Sequence, residues 1–191
     1  MSKRPPGKVR IIGGEWRSRI VEFDGDSGVR PTPDRVRQTV FDWLAPSIEG
    51  TRCLDLFAGS GALGMEALSR GATHVTFVEN GSKQATLIKA ALLQFKAPST
   101  RWDVTGMDAV YFLDQSWHRY HVAFVDPPFG NPVLQRALEE LPRVLVPEQN
   151  RIYLEWPDGK RPQLPEGYEL LKEKQAGQVC FGLATYRHSS K

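Results

Sequence analysis

"CLDLFAGSGALGMEAL", residues 53–68, runs from an apolar stretch interrupted by Asp55, through Gly59, Gly61 and Gly64, into a helix-like segment. Glycines at such a turn let the backbone fold back tightly and approach a ligand, while amides at the helix start stay free to donate. The spacing satisfies G-x-G-x-x-G, which alone is a weak signal. Outward from this unit the chain alternates. "HVTFVE" reads as strand, "SKQATLIKAALLQF" as helix, "STRWDV" as strand, "DAVYFLDQS" as short helix and "HVAFVD" as strand. A helix through "VLQRALEEL" follows, then three strand signals, "RIYLEW", "YELLKEK" and "QVCFGLATYR". Apolar strands alternating with helices predict a mostly parallel, doubly wound α/β sheet with helices on both faces. The closing pair of strands, with no helix between them, predicts one antiparallel strand at the edge. Ligands of such sheets bind at the carboxyl ends of the strands, near the topological switch.

Upstream, "KVRIIGGEWRSRIVEF" reads as a β-hairpin of residues 9–12 and 16–23 turning at Gly13 and Gly14. In "RPTPDRVRQTVFDWLAP" a helix is expected to start at Thr32, with Pro33 in the first helical position. Val36, Val40, Phe41 and Leu44 form its apolar stripe, and its other face shows Arg35 and Arg37. A chain of 191 residues supports one complete core. The net charge of +3 is uneven: residues 1–37 carry nine Lys/Arg against five Asp/Glu, and residues 38–191 carry sixteen against seventeen. A basic arm on a near-neutral body suggests a polyanionic partner. Cys53 and Cys180 lie inside apolar strand-like runs, as small buried hydrophobes of a reducing cytosol do. The four histidines fit no metal-ligand spacing, so no metal is expected. No apolar run approaches the ~20 residues that span a bilayer. "MSKRPPGKVR" is followed by no apolar segment of a secretory signal, so a cytoplasmic protein without membrane contact is expected.

Glu79 closes the strand after the glycine loop, where an acidic group can accept both ribose hydroxyls. Loop and glutamate together point to an adenosine-bearing cofactor. Asp55, just before the loop, would repel a pyrophosphate and suits a cation. S-adenosylmethionine carries a sulfonium and an α-ammonium and no phosphate, so the electrostatics favour it. Asp108, in "VTGMDAV", is placed either to accept from an adenine amino group or to cap the helix that begins there. "HVAFVDPPFG", residues 121–130, ends a strand in a carboxylate, two prolines and a phenylalanine. The prolines remove two donors and fix two φ angles. The result is a stiff acceptor beside a ring: a plain turn, or a clamp for a flat ligand with amino hydrogens.

In the setting of "DLFAGSGALG", Glu79 and Asp108, the "DPPF" segment resembles the [D/N/S]-P-P-[Y/F/W] mark of methyltransferases acting on amino groups of nucleic-acid bases. "RIIGGEWRSR" and "RPTPDRVRQTVFDWL" further resemble the opening blocks of the bacterial 16S rRNA guanine-N2 methyltransferases, a family named for guanine 966. The resemblance covers about residues 9–187. It implies a Rossmann-like class I methyltransferase fold with a seven-stranded sheet and an antiparallel last strand. An N-terminal arm and hairpin (residues 1–30) would precede the S-adenosylmethionine-binding domain (residues 31–191).

The substrate implied is one guanine of 16S rRNA in the assembled or assembling small ribosomal subunit, met by a monomer. Pro31, Thr32, Asp55, Phe57, Gly59, Gly61, Gly64, Glu79 and Asp108 would hold the cofactor. Asp126 and the Pro127 carbonyl would accept from the guanine amine, and Phe129 would stack on the purine. Arg10, Arg17, Arg19, Arg35 and Arg37 would hold phosphates, with Trp16 available to stack. The chain departs from the family at Ser18, where a glycine is common, a change expected to be neutral. It departs again at Gly130 and Asn131, which replace basic residues and shift the phosphate grip to the N-terminal arm. Rival readings are a DNA adenine-N6 or cytosine-N4 methyltransferase, an NAD(P)-dependent oxidoreductase, and a non-catalytic RNA-binding module.

Overall fold

The computed structural model describes residues 4–130 and 132–188, so the expectation about Asn131 lies outside the described residues. Strands β3 (Arg52–Asp55), β4 (His74–Val78), β5 (Trp102–Thr105), β6 (Val122–Val125), β7 (Arg151–Pro157), β8 (Tyr168–Ala176) and β9 (Val179–Tyr186) form one sheet in the order β5-β4-β3-β6-β7-β9-β8. β3 to β7 pair in parallel, while β9 is antiparallel to both its neighbours. From β3 the chain builds outward through β4 and β5, then returns to lay β6 on the other flank of β3. The β3/β6 junction is therefore the switch point, where a crevice opens at the carboxyl edge. The last strand is antiparallel as expected, but it is not at the edge. β8 and β9 fold as a hairpin, so β9 is inserted beside β7 and β8 takes the edge.

Alternation along the strands sends successive side chains into two cores. On one face α1 (Asp34–Leu44), α2 (Ala62–Ser69) and α3 (Ser82–Gln94) pack over Cys53, Phe77, Phe124 and Tyr153. On the other, α4 (Ala109–Gln115) and α5 (Val133–Glu140) cover Leu54, Val78, Ala123, Val125 and Leu154. Among the described residues no helix is long and apolar enough to cross a membrane, and no group of three or more His, Cys, Asp or Glu is arranged to hold a metal ion.

The N-terminal hairpin is shorter than its sequence suggests. β1 (Gly7–Arg10) pairs with β2 (Ile20–Phe23), with Val9 opposite Val21, and residues 11–19 form a loop between them. This loop is pinned to α2. Both oxygens of Glu66 accept from the backbone, at 3.0 Å from Ile12 N and 2.8 Å from Gly13 N, and Ser69 Oγ accepts from Trp16 N at 2.8 Å. Two residues expected at an RNA-facing surface are inside. Trp16 is 1% exposed and packs on Phe95 with ring centroids 5.3 Å apart. Arg37 is 0% exposed: it donates to Arg10 O, pairs with Asp34, and lies 3.8 Å from Glu66. The causes are the large apolar area of an indole and the demand of a fully buried glutamate for counter-charge. Helix α1 begins at Asp34, one residue later than expected, and Thr32 does not cap it.

Ser18 has φ 71°, the left-handed conformation that disfavours a Cβ. The backbone at this position favours glycine, so the serine expected to be neutral stands in a strained conformation. Ser18→Gly is expected to stabilise by about 0.5–1 kcal/mol in urea titrations. Glu66→Ala is expected to cost about 3–5 kcal/mol, because it removes one of two carboxylates paired with buried Arg37, the partner of Arg70, and the acceptor of two backbone amides. It should also remove hydrogen-exchange protection from the Ile12 and Gly13 amides. Wild-type stability in this variant would refute the latch.

Candidate active site

The carboxyl ends of β3, β4, β6 and β7 deliver Asp55, Glu79, Asp126 and Glu155 to one edge of the sheet. Asp55 is buried, and its Oδ2 accepts from Gly64 N at 3.0 Å, in the first turn of α2. Burial, opposed by that amide and reinforced by Glu79, pushes its carboxyl up to about 7. Gly61, at φ 78°, supplies the left-handed turn into α2. Gly64 serves helix–sheet packing, since a Cβ there would lie 2.3 Å from the Phe77 ring. Glu79 bridges two loops, with Oε2 accepting from Gly59 N at 2.8 Å and Oε1 from Gly81 N at 2.7 Å. Phe57 is half-buried beside this loop, and a Cβ at Gly59 would meet Val29 at 3.4 Å. The segment before α1 therefore lies over the glycine loop. Asp108 caps α4 through Oδ1, which accepts from Val110 N and Tyr111 N at 2.9 and 3.0 Å.

Asp126 keeps a small window to solvent but is surrounded by protein. Burial first, then the charges of Glu155 and Asp55, hold its carboxyl well above the usual range, against a hydrogen bond from Thr32. Thr32, expected to cap a helix, is instead buried within reach of the "DPPF" carboxylate and of the Tyr153 hydroxyl. Pro127 is buried, while Phe129 is 50% exposed and offers its ring outward. Sequence reading missed Tyr153 and Glu155, whose side chains share a 2.7 Å hydrogen bond from the phenol to Oε2. Burial raises the Glu155 carboxyl, opposed by the phenol, and pushes the Tyr153 hydroxyl well above its ordinary value. The available signal was a glutamate within the apolar run "RIYLEW", since a strand buried on both faces rarely carries an idle carboxylate.

A cleft of about 430 Å³ leads outward from Thr32, between the hairpin and the start of α1. Lys8, Arg10, Ile20, Phe23, Pro31 and Asp34 line it. Arg10, Arg17, Arg19 and Arg35 are exposed. Arg10 pairs with Asp34 at 3.2 Å, and Arg19 lies over the Phe95 ring and donates to Phe95 O. The structure thus gathers Thr32, Asp55, Glu79 and Asp126 at the switch point and leaves four of the five arginines outside. The ionisable groups acting on Asp126 and Asp55 are acidic. A ligand bearing positive charge and no phosphate fits this edge.

Residues 9–185 match the family described as conserved hypothetical protein 95. Ribosomal RNA small subunit methyltransferase D of Escherichia coli is 41% identical over 179 residues, covering 93% of this chain and 89% of that protein. The protein of the same name from Haemophilus influenzae is 42% identical over 180 residues, covering 93% of each. The solved structure of a candidate methyltransferase, yhhF of Escherichia coli, superposes with a TM-score of 0.85 at 40% identity, covering 96% of this chain and 100% of that one.

The raised Asp55 carboxyl has a stability consequence. Between its ordinary value and about 7 the folded state holds a proton that the unfolded state has lost, so stability falls as pH rises through that window. Asp55→Asn keeps an acceptor for Gly64 and removes this dependence. Its urea midpoint is expected to change less between pH 5 and pH 8 than that of the wild type, with a gain of a few kcal/mol at pH 8. An unchanged slope would refute the assignment.

Proposed function

This chain belongs to the conserved hypothetical protein 95 family, together with the ribosomal RNA small subunit methyltransferases D, and from that premise we propose that it methylates the exocyclic N2 of a guanine in 16S rRNA, at the position equivalent to 966. The observation that carries this reading is the carboxylate of Asp126 at the switch point, enclosed by protein and followed by the exposed Phe129 ring. A guanine amine is a weak nucleophile because its lone pair is delocalised into the ring. Asp126 and the Pro127 carbonyl accept its two N–H bonds and free that lone pair, while Phe129 stacks on the purine. Positioning then supplies much of the rate.

S-adenosylmethionine, when bound, supplies an electrophilic methyl on a sulfonium. Glu79 keeps lone pairs beyond its two backbone bonds and receives the ribose hydroxyls. Asp108, whose cap uses Oδ1, has Oδ2 left for the adenine amine. Pro31 and Thr32 cover the methionine end, and Asp55, Phe57, Gly59, Gly61 and Gly64 shape the floor. Residues 1–30 act as the RNA-contacting extension of the domain formed by residues 31–191. Arg10 meets a phosphate in the cleft, which admits the strand flanking the target base, and the exposed Arg17, Arg19 and Arg35 meet phosphates outside it. The enzyme acts as a monomer in the cytoplasm, on the assembled or assembling small subunit. Flipping, or a loop location, frees the base from its stack.

Methyl transfer from labelled donor to small subunits lacking the modification, followed by mass mapping, should place N2-methylguanine at the 966-equivalent nucleotide. Duplex DNA should be a poor acceptor, and a preference for it would overturn the reading. Asp126→Ala is expected to lower turnover by about 10²–10⁴-fold with RNA binding largely kept. Phe129→Ala should remove about 1–3 kcal/mol of substrate binding.

A further inference from the structure

Glu155 and Tyr153 take no part in the transfer described above, yet they are buried against its central carboxylate. The parallel register that pairs Val125 with Leu154 brings Glu155 alongside Asp126, and the Tyr153 hydroxyl holds Glu155 Oε2 at 2.7 Å. From the other flank, β3 adds Asp55 through the pairing of Asp55 with Phe124. Among the described residues no cation acts on Asp126 or Glu155; Arg35 and Lys174 lie beyond Phe181, around a separate cleft. β9 sets Phe181 opposite Glu155, α1 turns its buried Arg37 toward Asp34 and Glu66, and α2 offers Asp55 a backbone amide. Thr32 contributes a hydroxyl. Two adjoining buried carboxylates with no counter-charge do not both stay ionised.

We propose that Asp126 and Glu155 hold protons as one unit whose occupancy follows the charge of the methyl donor. The unit carries one shared proton when no cation stands beside it, and none while a sulfonium does. This rests on S-adenosylmethionine being the donor. During transfer the N2 lone pair bonds to the methyl carbon, the carbon–sulfur electron pair stays with sulfur, and sulfur becomes a neutral thioether. The N2 proton passes to Asp126, and the unit returns to one proton. The net charge of the buried edge is the same before and after, so the same neutralisation that ends the transfer raises the affinity of Asp126 for the departing proton. Glu155 and Tyr153 are positioning residues: Glu155 sets the charge that Asp126 feels, and the Tyr153 phenol anchors Glu155.

Titration calorimetry at neutral pH in phosphate and in Tris, which differ in ionisation enthalpy, counts the protons released on binding. The α-ammonium is common to S-adenosylmethionine and S-adenosylhomocysteine, so their difference reports the sulfonium alone. The wild type is expected to release more protons with S-adenosylmethionine, the difference approaching about one proton. In Glu155→Gln the partner charge is gone while the burial of Asp126 and the charge of Asp55 remain, so the difference should fall below that of the wild type, and a difference at or above the wild-type value would overturn the proposal. Tyr153→Phe retains both carboxylates and should preserve it. Equal release by the wild type would overturn the proposal whatever the variants do. Failure to bind either ligand would instead overturn the assignment of the donor.

Discussion

Negative charge without a counter-ion governs the active edge of this protein. β3 is flanked by β6 and β6 by β7; Asp55 ends β3, Asp126 follows β6, and Glu155 lies within β7 at the level of Asp126. Desolvation makes each of them reluctant to ionise; Glu155 and Asp55 make Asp126 more so, and Glu79 does the same to Asp55. Such an arrangement is expensive in an empty fold and becomes favourable only when a proton or a cation arrives. It also discriminates. The glycine loop and Glu79 are compatible with several adenosine-bearing molecules, but a pyrophosphate set beside Asp55 would add charge of the same sign. The electrostatics exclude the dinucleotide that the glycine pattern alone would admit.

Helix α2 links this edge to the arm that precedes it. Its first turn donates to Asp55, and its middle carries Glu66, which holds the backbone of Ile12 and Gly13. Its end supplies Ser69 to Trp16 and to Gly13 O. Every position of the helix is buried, because the sheet covers one side and the arm the other. The arm is therefore anchored to the same element whose first turn donates to Asp55. The loop that carries Arg17 is thus tied to the Asp55 edge through eight residues of helix rather than through a hinge.

The sheet was legible because its signals are local. Strand alternation, the glycine loop, and the acidic residues closing β3, β4 and β6 each lie within a few residues of chain. The "DPPF" carboxylate was found the same way. What escaped depended on partners far away in sequence. Arg37 has the look of a solvated face until Glu66 is packed against it, and Trp16 looks like a stacking ring until Phe95 closes over it. Glu155 was read only as part of an apolar strand, because its meaning comes from β6 lying alongside it. The order of β8 and β9 was missed for a related reason: a hairpin can add to a sheet by either strand, and turn chemistry does not say which.

Removing Arg37 and Trp16 from the outer surface changes how RNA is held. The positive excess of the first 37 residues remains, but it is spread along a rim. Arg10 is engaged with Asp34, and Arg19 is held over Phe95. Exposed pairs of this kind are weak, so a phosphate can displace Asp34 from Arg10 at small cost. Arg19 gains from its ring contact a fixed direction instead of a free rotamer. If these arginines hold RNA as proposed, charge alone distinguishes no base, and selection of the base falls to the carboxylate and the ring that follow β6.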